Sequence, residues 1–315
     1  MALPDPLENK LVVLIGGSGF IGTHVAQDLL ARGARLRVAA RHPEKAFRLK
    51  PLANLGQIQF VRLDVRDEAS INACVAGADA VVYLVGTFGK DQRSLQALGA
   101  GNAARAAAAT GASSFVYVSS IGADAAKPGG YFSTKGEGEE LVHAAFPAAT
   151  VIRPSAVFGE EGGFVPLFAQ MVQLMPAIPV FGPEAKLQPV CVDDLAKAIG
   201  NALADPARHG GKTYEAAGPD VFTTTDLYRT MNEAQGRTRP LLPMPDALAR
   251  LVAALPLTPI SADQLDMLAE NNVATAGMPG LKELGVAAQP LALFLERWMV
   301  RYRKNGRFAA KRGTA

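Results

Sequence analysis

Tyr131 and Lys135 stand four residues apart in Tyr131–Ala145, a stretch whose composition and spacing predict a helix, so both side chains share one face. An ammonium beside a phenol favours the phenolate. A free tyrosine has a pKa of about 10, and a buried positive neighbour brings it toward neutrality, where it can exchange a proton with a hydroxyl or carbonyl. The plain alternative is a surface pair on an amphipathic helix. The Ser119-Ser120 pair that closes the preceding apolar run weighs toward the chemical reading.

A second constellation is Gly16-Gly17-Ser18-Gly19-Phe20-Ile21-Gly22, a G-x-x-G-x-x-G loop directly after the apolar run Leu11–Ile15 and before a helical pattern. In that setting Gly16 permits the tight turn, Gly19 lets main chain approach a pyrophosphate, and Gly22 lets the helix pack closely on the strand. The helix N-terminus then stabilises the anion. An ordinary flexible turn is the other reading. The end of the second strand decides which dinucleotide fits, because an acid there bonds the ribose 2′-hydroxyl and repels a 2′-phosphate. Here it reads Ala39-Ala40-Arg41-His42, with no acid. Arg41 offers a bidentate grip on a 2′-phosphate, favouring NADP(H) over NAD(H), unless it is a solvated loop charge. Asp64, after the third strand, is placed to accept from an adenine amino group or to cap the next helix.

The elements that must position these groups alternate. Short β-branched runs at Leu11–Ile15, Arg35–Ala40, Ile58–Leu63, Ala80–Val85, Phe115–Ser119 and Thr150–Arg153 predict strands. Between them Ile21–Arg32, Pro43–Ala53, Ser70–Val75, Ser94–Thr110 and Tyr131–Ala145 predict crossover helices. Repeated β-α-β units imply an α/β fold with a doubly wound parallel sheet, which binds ligands at the carboxyl ends of its strands. Past residue 154 the pattern turns irregular and proline-rich. It retains a predicted strand at Leu187–Val192, a helix at Asp193–Ala204 and a strand near Lys212–Ala216. The expected division is a dinucleotide-binding domain over 1–159 and a smaller, mainly C-terminal capping lobe over 160–315, parts of which pack back on the sheet.

Composition narrows the function classes. A chain of 315 residues that is 49% apolar and 19% charged builds its own core and is no disordered chain. A net charge of +3 gives no reason to expect nucleic acid as a partner. Cys74 and Cys191 form no C-x-x-C spacing, and His24, His42, His143 and His209 have no Cys or acid at ligand spacing, so no metal site is expected. The N-terminus, with Asp5, Glu8 and two prolines before an apolar run, does not read as a signal peptide. The uncharged stretch of 22 residues from Gly162 to Pro183 is interrupted by prolines, which argues against a membrane span. A cytoplasmic location is expected, with a peripheral one at the inner face of the cell membrane as the variant.

Val116-Tyr-Val-Ser-Ser120, Tyr131-Phe-Ser-Thr-Lys135, Arg153-Pro-Ser-Ala-Val-Phe-Gly159 and Gln188-Pro-Val-Cys-Val-Asp-Asp194 follow one another in an order that resembles the short-chain dehydrogenase/reductase superfamily, in its extended or atypical branch. Val118-Ser-Ser-Ile-Gly-Ala-Asp124 and Arg301-Tyr-Arg-Lys-Asn-Gly-Arg-Phe308 look most like bacterial relatives of the NADPH-binding accessory subunit of respiratory complex I. The resemblance implies a Rossmann-type fold, similar to NAD-dependent epimerases and dehydratases. It implies that Tyr131 handles a proton, that Lys135 also holds the nicotinamide ribose and that Ser120 donates to the substrate oxygen. It extends the cofactor's contacts to Ser18, Phe20 and Ile21, to Val65 beside Asp64, to Val85-Gly86, and to Pro154 and Val157. Gln96 stands where many members carry Asn, and Ser120 lies only eleven residues before Tyr131. Two functions follow. One is an NADP(H)-dependent oxidoreductase acting on a small carbonyl, an alcohol or a quinone-pathway substrate. The alternative is a non-catalytic NADPH-binding assembly or accessory subunit of respiratory complex I.

Two segments are candidate surfaces for a respiratory complex or a membrane. In 244–255, Met244, Leu248, Leu251, Val252 and Leu255 recur at helical spacing, which also suits a core helix. In 291–312, Leu291, Phe294, Leu295, Trp298, Met299 and Tyr302 form an apolar face beside Arg297, Arg301, Arg303 and Lys304. A solvated tail is the other reading of that segment. The substrate class remains open, because the capping half carries no chemical signature beyond being apolar.

Overall fold

The computed structural model describes residues 4–89, 91–245, 247, 270–304 and 306. They divide into two compact units, the first made of residues up to Pro154 with Val192–Ala216 and Thr275–Ala287, the second of Ser155–Cys191 with the described residues of 217–274 and 288–315.

The first unit is built on a seven-stranded sheet. Its strands are β1 (Leu11–Ile15), β2 (Arg35–Ala40), β3 (Ile58–Arg62), β4 (Ala80–Tyr83), β5 (Ser114–Val118), β6 (Thr150–Pro154) and, after the excursion into the second unit, β11 (Thr213–Ala216). All pair in parallel in the order β11-β6-β5-β4-β1-β2-β3. The order reverses between β1 and β4, the switch point at which open α/β sheets bind ligands. β4 and β5 are buried along their whole length, as expected for strands covered on both faces.

Helices α1 (Phe20–Ala31), α2 (Glu68–Val75), α3 (Gly99–Ala109) and α4 (Gly130–Ala145) make the crossovers. Alanine and glycine allow α3 and α4 to approach closely: a Cβ on Gly101 would lie 3.0 Å from the Leu141 Cβ. Helices α6 (Val192–Ala204) and α7 (Pro206–His209) lead into β11. The predicted crossover at Pro43–Ala53 is a 3-10 helix over Pro43–Leu52, in keeping with Pro51 inside it. The predicted helix at Ser94–Thr110 opens with a turn of π-helix over Arg93–Leu98 before α3 begins.

The second unit holds α5 (Phe164–Leu174), α8 (Thr224–Gln235) and α9 (Ala292–Met299) with three small strand pairs. β7 (Val157–Phe158) pairs with β10 (Val190–Cys191), β8 (Ile178–Val180) with β13 (Leu241–Pro243), and β9 (Lys186–Leu187) with β12 (Phe222–Thr223). The single strand expected over Leu187–Val192 is thus split at Gln188-Pro189, as a residue without an N–H requires. Thr223 and Asp226 form a reciprocal capping box at the start of α8. Phe168 stacks on Tyr228 with ring centroids 4.3 Å apart. Leu291, Leu295, Trp298, Met299 and Tyr302 are buried in this unit's core.

That last observation corrects the expectation of an apolar face on 291–312. The residues with the right spacing point inward, and of the cations beside them Arg301 pairs with Glu160 at 2.6 Å and Arg303 donates to the Ala234 carbonyl. Most of 244–255, and the residues after 304 apart from Gly306, lie outside the described residues. No helix among the described residues is long and apolar enough to cross a membrane.

Candidate functional site

The glycine loop turns at the carboxyl end of β1. Gly16 has φ +85°, a conformation glycine adopts without strain, and its N–H donates to the Ala39 carbonyl at 2.8 Å. Each glycine has its own reason. A Cβ on Gly22 would sit 2.6 Å from the Gly17 Cα, so this position closes α1 onto the loop. Gly17 is equally crowded, its Cβ position lying 2.8 Å from the Leu14 Cβ, and the spacing of the motif did not single it out. Gly19 differs: it is exposed, and the nearest atom to its Cβ position is the Gly16 carbonyl at 3.4 Å. Protein packing leaves that space open, which is what a ligand approaching the main chain needs.

α1 begins at this loop with no side-chain cap and no acid in its first turn, so the N–H groups around Ser18, Phe20 and Ile21 and the positive end of the helix dipole are available to an anion. Thr23 donates to the Gly19 carbonyl at 2.9 Å and accepts from Arg48 at 2.7 Å. Arg48 thereby brings a guanidinium to the loop from the 3-10 segment. It sits eight residues beyond the strand end at which cofactor selection is normally read, and the sequence reading missed it.

At the ends of β2 and β3, Arg41 is exposed and forms no ion pair among the described residues. Asp64 is gripped by Arg66 through Nη2 at 2.6 Å and Nε at 3.0 Å. The hydrogen bonds from the Arg66 side chain and main chain hold the Asp64 carboxyl down at about 2, with Arg41 adding a smaller pull. Asp64 is therefore an anion with one side already occupied. Capping of α2 falls instead to Asp67, which accepts from the Ala69 N–H. The Val65 side chain packs in the core against Gly99, which leaves its main chain for a ligand.

Gly86 marks the centre of the other half. From the position a Cβ would take there, Gln96 Oε1 is 3.8 Å away, and Lys135 Nζ and Tyr131 Oη are each 3.9 Å away. A side chain at this position would fill the cradle these three groups make. Lys135 is 2% exposed, and its ammonium donates to the Val118 carbonyl at 2.8 Å and the Val85 carbonyl at 3.2 Å, bridging the ends of β5 and β4. Tyr131 lies in the first turn of α4, which Gly129 and Gly130 open with positive φ angles, and it stacks on Phe88. Fully buried Gln96 comes from the π-turn and spans the site: its Oε1 accepts from the Thr87 N–H at 3.3 Å and its Nε2 donates to Thr134 at 3.0 Å. π-turns recur at functional sites.

The electrostatics depart from the expectation for the tyrosine. Burial pushes the Tyr131 phenol up to about 12 and the Lys135 ammonium down to about 7. The lysine is itself desolvated, so it does not bring the phenol toward neutrality. The Ser120 hydroxyl, expected to donate to a substrate oxygen, donates here to the Ile121 carbonyl at 3.1 Å. Pro154 is buried at the end of β6 with its carbonyl accepting from the Ile121 N–H, and Val157 lies in β7 of the second unit.

Beneath this site runs an ionic network that the motifs did not announce. Ser119 donates to Glu139, which takes Arg153 bidentately at 2.6 and 2.9 Å, and Arg153 faces Glu215 at 3.9 Å. The hydrogen bonds it donates to Glu139 raise the Arg153 guanidinium further above its ordinary value. Glu139 is four residues past Lys135, so the helical spacing that paired Tyr131 with Lys135 extends to it. His24, without an acidic partner in sequence, meets Asp193 at 2.6 Å, and its hydrogen bond holds that carboxyl below its ordinary range. Among the described residues no group of three His, Cys, Asp or Glu is arranged to hold a metal ion.

Comparison with known proteins agrees with this geometry. A family model described as NAD(P)H-binding matches residues 16–168. Over 94% of its length the chain is 30% identical to "NADH dehydrogenase [ubiquinone] 1 alpha subcomplex subunit 9, mitochondrial" of Arabidopsis thaliana, covering 79% of that protein. It is 26% identical to a ceramide reductase of Caulobacter vibrioides, over 75% of this chain and 74% of that one. Among solved structures, an epimerase from Methanothermobacter thermautotrophicus superposes with a TM-score of 0.72 at 18% identity, covering 94% of this chain and 92% of that one. Its fold is therefore shared. The chain belongs to the NAD(P)-binding, extended short-chain dehydrogenase/reductase-like family that includes the subunit 9 proteins of mitochondrial NADH dehydrogenase.

Proposed function

We propose that this protein holds NADP(H), in preference to NAD(H), as a structural nucleotide, and that it serves as an accessory subunit docked peripherally on a respiratory NADH dehydrogenase. The observation that carries this reading is the 30% identity with subunit 9 over 94% of the chain. Local geometry supports it. Lys135 is anchored by two main-chain carbonyls, the Ser120 hydroxyl donates to a main-chain carbonyl, and the phenol of Tyr131 stays above its ordinary value. These groups suit binding better than turnover. Arg41, with no acid beside it, supports the preference for a 2′-phosphate.

A second reading, an oxidoreductase acting on a small carbonyl or alcohol, is favoured by Tyr131 and Lys135 converging on Gly86 and by the likeness to a ceramide reductase. A bound nicotinamide would supply or accept hydride. Tyr131 would then exchange a proton with the substrate oxygen. Tyr131→Phe separates the two readings. Under the first, nucleotide retention, measured by mass spectrometry of gently purified protein, and co-purification with a respiratory complex both persist. Loss of a carbonyl reductase activity with retention intact supports the second.

A further inference from the structure

The segment Lys45–Leu55 carries three basic residues and no acidic one. It comprises most of the 3-10 helix Pro43–Leu52 and the turn that leads into β3, the edge strand of the sheet. In a 3-10 helix, residues three apart share a face. Ala46 and Leu49 follow that rule and are fully buried, but the next member, Leu52, is 52% exposed. Phe47 is 44% exposed, and Leu55 projects from the turn with its whole side chain in solvent, at 106%. The turn is fixed by hydrogen bonds in both directions between Asn54 and Gln57, at 2.9 and 3.0 Å. Leu55 is thus held out by a built structure. Among the described residues, Lys45, Arg48 and Lys50 form no ion pair. Lys50 sits 3.7 Å above the Phe47 ring, placing a cation over an exposed aromatic.

We propose that Lys45–Leu55 is a contact surface for an anionic lipid bilayer, with Leu52, Leu55 and Phe47 entering the interface and Lys45 and Lys50 meeting lipid phosphates. Clustered apolar side chains interleaved with unpaired cations match such a surface in both hydrophobicity and charge. A protruding leucine on a rigid turn also favours lipid over a protein partner, because fluid acyl chains accept it without a matching pocket. The surface lies within the first unit and is independent of α9, whose apolar residues are buried.

The test is co-sedimentation of the full chain with vesicles of equal parts phosphatidylcholine and phosphatidylglycerol, and with phosphatidylcholine alone. The chain is expected to bind only the anionic vesicles, and to be released by molar salt. Lys45→Glu with Lys50→Glu should lower the partition by roughly ten-fold or more. Leu52→Ser with Leu55→Ser should lower it comparably, and both double variants should keep their nucleotide affinity and melting temperature. Three results would overturn the proposal: no binding of the unmodified chain, binding that both double variants retain in full, or loss of binding together with unfolding in both. Capture of a soluble acidic protein through this segment, without vesicle binding, would assign the surface to a protein instead.

Discussion

The Arg48 guanidinium donates to the Thr23 hydroxyl at 2.7 Å, and through it a second cation reaches the loop whose glycines turn the chain at the end of β1. Arg41 and Arg48 lie seven residues apart in sequence and come from different elements, one following a strand end and one in a 3-10 helix. Arg48→Ala is expected to weaken NADPH and NADH together, because it acts at the loop. Arg41→Ala should weaken NADPH by about ten-fold or more while sparing NADH, a charge-assisted contact being worth about 1.5–3 kcal/mol. Titration calorimetry with both nucleotides checks this, and equal losses in Arg41→Ala would remove the 2′-phosphate assignment.

The glycines divide by what crowds them. Gly22→Ala forces a Cβ against the Gly17 main chain at 2.6 Å and should cost about 1–3 kcal/mol of stability even without nucleotide. Gly19→Ala meets nothing closer than 3.4 Å, so it should melt like the unmodified protein but gain far less on adding nucleotide. Melting curves with and without NADPH distinguish the two. Similar intrinsic losses in both would mean that Gly19 is held by packing.

Lys135 makes stability depend on pH. Burial lowers its ammonium from an ordinary value near 10.5 to about 7, so between those values the unfolded chain binds a proton that the folded chain does not. Stability from this group therefore rises as pH increases from about 7 toward 10.5, and its destabilising effect is complete below 7. Lys135→Met should flatten that dependence. Urea melts at several pH values across the window measure it, and an unchanged slope in the variant would exclude Lys135 as the cause.

Glu139 is buried and its partner Arg153 partly so, and the two differ in how replaceable they are. Glu139→Gln removes the bidentate partner of Arg153, leaving Glu215 at 3.9 Å, and gives Ser119 a weaker acceptor, with an expected loss of about 1–3 kcal/mol. Glu139→Gln combined with Arg153→Met should recover part of that loss, since the cation that lost its bidentate partner is gone. Chemical denaturation of the two variants tests this, and an additive, larger loss in the double variant would contradict it.

Much of the fold was legible because periodicity and burial agree. β1 and β2 fall where alternation of strand and helix patterns puts them, and α1 and α4 begin within one residue of expectation. The positions of the glycine loop, Tyr131 and Lys135 were legible for the same reason, the loop standing at a strand end and the pair on one helix. Features made by chain segments far apart were not. Arg48 reaches Thr23 only because the 3-10 helix packs there, and Glu139 meets Arg153 across a sheet crossover. Trp298 and its neighbours looked like an outward face because spacing tells which residues share a side, not whether that side is covered. The direction of the Tyr131 shift also depends on desolvation, which spacing does not report.

The strand β11 comes from residues 213–216, and Glu215 is tied to the main chain at Thr275 and Pro279 at 2.6 and 2.9 Å. As the chain leaves the ribosome, β6 therefore waits with an unpaired flank until some sixty further residues have emerged, and the final tie comes later still. Vectorial folding half by half is not open to this topology. The glycine loop thus belongs to a unit that closes only when Val192–Ala216 and Thr275–Ala287 join the strands that precede them.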